Sequence, residues 1–152
     1  MFKLAKFRDL SFFLFAMGSP AWASPSQCDL DFKKLKICGT LHWEKPPQVV
    51  EMITPKDAAT LIIELKPKGP RGKPIPLDLE MAVKPTMPSM GGHGTEPTRV
   101  SRSTDSSDKN DPAIRFQVQD IFLSMSGEWK FQVKLKSQGK ELDQASWLFE
   151  LK

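Results

Sequence analysis

The sequence predicts an all-β protein, an immunoglobulin-like antiparallel β-sandwich of about seven strands. Three observations carry that expectation. Apolar residues recur at every second position in several separate runs. Prolines and glycines gather in the connections between those runs, where a missing backbone donor does no harm. No stretch carries apolar residues at helical spacing. Short alternating strands joined by polar turns are the pattern of a two-sheet sandwich.

The first element is not part of that sandwich. Lys3, Lys6 and Arg8 make a basic start, and an apolar run over residues 10–17 follows. Gly18 and Pro20 break the run before Ala21-Trp22-Ala23. That order is the grammar of a secretory signal peptide, with small residues where a signal peptidase reads. The run is too short to hold a stable membrane span. The expected cut follows Ala23, leaving residues 24–152 as one domain in the periplasm or another exported compartment. A lipid-anchored form is not expected, because Pro25-Ser26-Gln27 lacks the residues that precede a lipidated cysteine.

Cys28 and Cys38 are the two cysteines. In an oxidising compartment such a pair is most simply a disulfide, stabilising by about 2–3 kcal/mol. A metal or redox pair is the alternative, but ten residues of separation is far from the Cys-x-x-Cys spacing of redox sites.

The strands then follow in order. Short ones are expected over 39–43 and 49–53, and a longer one over 60–66 with Leu61, Ile63 and Leu65 inward. The Pro- and Gly-rich segment 67–74 is a turn. Leu77, Leu79, Met81 and Val83 alternate with Asp78, Glu80, Ala82 and Lys84. Residues 101–112 are polar and read as a mobile loop. Ile114, Phe116 and Val118 mark the next strand. Trp129, Phe131, Val133 and Leu135 mark another, and Trp147, Phe149 and Leu151 the last.

Charge and side-chain inventory narrow the function. The formal charge is +4; three positive residues and one negative belong to the leader, which leaves +2. The basic residues are scattered and not interleaved with aromatics, so nucleic-acid binding is not supported. No nucleophile has a base beside it, and there is no phosphate loop. With only His42 and His93 present, a hydrolytic triad has little to draw on, and the protein is not expected to be an enzyme.

One segment departs from ordinary sandwich sequence. Pro85-Thr86-Met87-Pro88-Ser89-Met90-Gly91-Gly92-His93-Gly94 reads as a loop or strand edge carrying two methionines and a histidine. Thioether sulfur with imidazole suits copper, above all Cu(I), so Met87, Met90 and His93 are the candidate metal ligands. Met81 and Met125, on neighbouring predicted strands, are possible additional sulfurs. The competing reading is that these methionines fill gaps in packing. His42, beside Trp43, fits a surface or core role better than a ligand role.

The order of Lys73-Pro74, the strand to Met81, the Met87-to-Gly94 segment and Met125-Ser126-Gly127-Glu128-Trp129 resembles the YtkA-like domain family, to which FixH-type proteins are related. The resemblance covers roughly residues 58–152. It implies an exported or membrane-tethered immunoglobulin-like domain linked with copper handling or with assembly of respiratory copper enzymes. By position it assigns Met87, Met90 and His93 to the Met/His segment, and Gly127 and Trp129 to a structural strand. Gly92 is an extra residue before the histidine, and the loop 101–112 is longer than the family pattern. The expected function is therefore a periplasmic copper-binding or copper-delivery accessory, acting with a respiratory copper enzyme or another envelope protein. The alternative is a non-metal interaction module of the cell envelope.

Overall fold

The computed structural model describes residues 28–49, 54–69, 74–94, 97–103 and 113–152. The predicted leader and most of the loop 101–112 lie outside these residues, as do 50–53 of the expected strand 49–53. Nine strands run in chain order: β1 Leu30–Phe32, β2 Ile37–Lys45, β3 Ala59–Pro67, β4 Leu79–Met87, β5 His93–Gly94, β6 Arg99–Ser103, β7 Ile114–Ile121, β8 Gly127–Ser137 and β9 Lys140–Leu151. Two single-turn 3-10 helices, Pro55–Asp57 and Pro88–Met90, complete the described elements.

The strands form two antiparallel sheets, β1-β2-β3-β7-β6 and β5-β4-β8-β9. With β1 set aside, this is the immunoglobulin arrangement of one four-stranded sheet facing a C-F-G sheet with one added strand. The all-β sandwich expected from the sequence is the fold, with nine strands among the described residues against an expected seven or so.

Alternation explains the core. Trp129, Phe131, Val133 and Leu135 of β8 are all buried, facing Leu61, Ile63 and Leu65 of β3 and Phe116 and Val118 of β7 across the sandwich. The outward positions of β8 are Glu128, Lys130, Gln132, Lys134 and Lys136. At one open side, Trp43 of β2 meets Phe149 of β9 with ring centroids 5.3 Å apart, and Trp147 stacks beside Phe131 at 5.4 Å. Tilted and edge contacts of this kind are the favoured aromatic geometries.

Several local expectations fail for identifiable reasons. Leu77 sits in a turn and is 86 % exposed; β4 begins at Leu79. Val49 is exposed and lies in no strand. Residues 101–103, expected as loop, complete β6, which pairs with β7. β9 begins at Lys140, well before its alternating part, because it follows β8 along the whole hairpin. β4 runs through Pro85 to Met87, although a proline ordinarily ends a strand. The carbonyl of Val83 accepts the Thr98 hydroxyl at 2.7 Å, so the odd-numbered residues of β4 aim their backbone groups away from β8. Pro85 shares that parity, and its missing N–H falls on the free edge.

Candidate functional site

The Met/His segment divides into one buried and one open part. Met87 is the last residue of β4 and is 6 % exposed, so it is a core residue and not a loop residue. Its Cε packs onto Gly127: a Cβ there would lie 2.8 Å away. Gly127 has φ +127°, a conformation open to glycine at little cost. The two segments that carry the family resemblance therefore touch, methyl against glycine.

The chain then turns. Pro88–Met90 forms its 3-10 helix, and Gly91 and Gly92 both take positive φ, at 66° and 80°. The Gly92 N–H donates to the Met87 carbonyl at 3.3 Å. The second glycine completes the reversal that returns the backbone of His93 opposite Met87. The His93 side chain lies outside the described part of the structure. Met90, at the top of the turn, is 45 % exposed.

Met125 is not on a strand, as the sequence suggested; it lies in the connection before β8 and is 41 % exposed. That connection is tied down by the Trp129 indole, whose Nε1–H donates to the Met125 carbonyl at 3.0 Å. β4 and β8 pair up to Thr86 opposite Lys130. Continued by three or four residues, that register sets the 3-10 helix beside the start of β8, against which it packs. Met90 and Met125 thus share one end of the sandwich. Met81 does not join them: it is buried mid-strand opposite Leu135.

The other end is built from different chemistry. Cys28 and Cys38 lie at disulfide distance, with Cα atoms 5.4 Å apart. Asp143 of β9 is the buried charged residue among those described, at 4 % exposure. Its Oδ2 accepts the N–H groups of Lys34 at 2.8 Å and Leu35 at 3.1 Å, from the turn joining β1 and β2. Its Oδ1 accepts the N–H of Gln144 at 2.8 Å. One carboxylate thereby fastens the N-terminal hairpin to the opposite sheet. Asp143 gave no signal in the sequence, where it is one polar residue among several.

Glu64, on the outer face of β3 next to the same end, bridges Lys66 and Arg115, each at 2.7 Å. The hydrogen bond from Lys66, and then that from Arg115, hold its carboxyl below the usual glutamate range. His42 is exposed on the outer face of β2, opposite Ile62 of β3. Among the described residues, no three His, Cys, Asp or Glu side chains group as a metal site.

Comparison with protein-family models, with curated proteins and with solved structures returns no match. Among the described residues no helix is long and apolar enough to cross a membrane.

Proposed function

We propose that this chain is an exported accessory that binds or delivers Cu(I), its soft-ligand surface being the end of the sandwich that carries Met90 and Met125. The observation that carries the reading is that pair of half-exposed thioethers on one end, in segments fixed by the Met87–Gly127 contact and the Trp129 hydrogen bond. Cu(I) prefers sulfur donors and tolerates low coordination, and an exposed pair suits transfer to a partner better than a closed cage does. His93 is the third candidate ligand. Met87, buried against Gly127, acts as a positioning residue for the turn. The disulfide-distance pair and the signal-peptide pattern both support an oxidising compartment, and the family resemblance points to a respiratory copper enzyme as recipient.

The test is a Cu(I) titration against a chromophoric competitor. One equivalent bound tightly, with affinity falling about tenfold or more in Met90→Ala and His93→Ala at unchanged circular dichroism, is the expected result. Absence of binding at micromolar copper would sink the reading.

A non-metal interaction module of the envelope is the second reading, favoured by the unpaired outer edge of β9. Capture of an envelope protein that persists in the presence of a copper chelator would select it over the first.

A further inference from the structure

Among the described residues the edges of the two sheets are not equally protected. β6 is five residues long, and both its arginines are engaged: Arg99 with Asp120 at 2.9 Å, and Arg102 with the Leu77 carbonyl. β4 is blocked by Pro85, by the Thr98 hydroxyl on Val83 and by β5 at Thr86 and Met87. Short length, proline and charge are the usual guards of a sheet edge.

β9 is twelve residues long and pairs only with β8 among the described residues; β1 packs against it, and the turn after β1 is bonded to Asp143 near its start, so the uncovered part is its second half. The direction of its free backbone groups can be derived. Val83 aims its groups away from β8. Antiparallel alternation then turns those of its partner Val133 towards β9, where Val133 faces Ala145. Ser146, Leu148 and Glu150 therefore present N–H and C=O outward. Gln144 shares that parity, but its N–H is taken by Asp143. The open stretch is centred on Leu148, whose side chain is 56 % exposed. Trp147 and Phe149 flank it, both only partly buried.

We infer that this edge pairs with the same edge of a second copy, antiparallel about a two-fold axis at Leu148. The stretch is self-complementary in that register. Leu148 meets Leu148, so each covers the other's exposed surface. Trp147 of one copy lies opposite Phe149 of the other, twice, and Ala145 opposite Leu151. Ser146 faces Glu150, and Gln144 faces Lys152, so no like charges are opposed. The two four-stranded sheets become one sheet of eight. The occupant is a second copy because one symmetry operation satisfies the free donors and acceptors, the exposed leucine and both aromatics together. The pairing is independent of the copper reading, since it uses neither Met90 nor Met125.

The test uses protein purified from a host given the full coding sequence. Sedimentation equilibrium is expected to give a dimer. Leu148→Lys sets two ammonium groups face to face and should weaken dimerisation by about tenfold or more, with the circular dichroism of the wild type. Leu148→Cys supplies an independent measurement. Directly opposed, hydrogen-bonded positions lie about 5.5 Å apart at Cα, within disulfide range. Mild oxidation should therefore link two copies in Leu148→Cys but not in Gln132→Cys, a position in mid-sheet on β8. A wild type that stays monomeric at the highest soluble concentration would overturn the inference, as would a Leu148→Lys variant that dimerises undiminished.

Discussion

The two ends of this sandwich are made of opposite materials. At one end Asp143, the Cys28–Cys38 pair and the Glu64 cluster tie the N-terminal hairpin and neighbouring strands together with directional bonds. At the other, a methyl on a glycine, the Gly92 N–H on the Met87 carbonyl and one indole hydrogen bond hold a turn and a loop that leave two thioethers half exposed. Apart from the Cys28–Cys38 pair, sequence conceals the first end and advertises the second. Polar residues that fasten a fold look like any surface residue in a string, whereas Met, Gly, Pro and His crowded together stand out. The comparison teaches that the conspicuous segment is the less anchored one, as is usual of connections carried on a rigid scaffold.

If the first end is the anchor, the largest effect should follow from Asp143→Ala. Three backbone N–H groups lose a charged acceptor, two of them joining elements more than a hundred residues apart in sequence. Urea unfolding is expected to show a loss of about 3 kcal/mol, since buried donors left unpaired cost about 1–3 kcal/mol each and some will find water. Asp143→Asn, which keeps an acceptor, should lose less. Equal losses in the two variants would mean that the carboxylate's bonds do not carry the anchor.

Gly127→Ala probes the open end and ranks next. The positive φ is strained for any side chain, and the added Cβ reaches Met87 Cε, a flexible tip able to move. About 2 kcal/mol of destabilisation is expected by thermal unfolding, nearly all of it from the backbone. A Met87→Ala background tests that division: Gly127→Ala should cost almost as much there. A cost that vanishes in that background would put the strain in the methyl contact instead.

These two residues also mark how far the sequence could be read. The alternation of β8 was visible because every inward residue is large and apolar. The start of β9 was not, because Lys140 to Ser146 is placed by hairpin register with β8 and shifts at a bulge near Leu135 and Lys136, which breaks the period. β1 has three residues, too few for a period to declare itself. The Gly- and Pro-rich composition of residues 85–94 reads as a loop or strand edge and hides that β4 runs on to a buried Met87. Only knowledge of which way β4's backbone faces reveals that Pro85 sits harmlessly on an edge. Of the candidate ligands, Met90 is half exposed, which composition alone does not separate from a packing role. The burial of Met87 depends on a partner forty residues away.

A smaller effect belongs to the anchored end and depends on pH. The carboxyl of Glu64 is held low in the folded state by Lys66 and Arg115, so its ionised form is favoured more in the fold than in the unfolded chain. Its contribution is present above the usual glutamate range. It is lost as pH falls through that range and below it. Glu64→Gln should therefore cost about 0.5 kcal/mol at neutral pH, the pairs being partly solvent-screened, and almost nothing in acid. A difference that grows on acidification would reverse the assignment.

The smallest effect on stability, and the sharpest contrast, is expected from the double variant Met90→Leu and Met125→Leu. Both side chains are about half in water, and leucine keeps their apolar volume, so the change in unfolding free energy should stay within about 0.5 kcal/mol. The Trp129 hydrogen bond uses the Met125 carbonyl and is indifferent to the side chain. What the substitution removes is the sulfur alone. A domain that keeps its melting temperature but loses Cu(I) in the competitor assay separates binding from folding at this end. Asp143→Ala should do the reverse, retaining whatever copper affinity the folded fraction has. If instead the leucine variant melts several degrees lower, these thioethers pack as Met87 does, and the open end is an extension of the core with no ligand surface of its own.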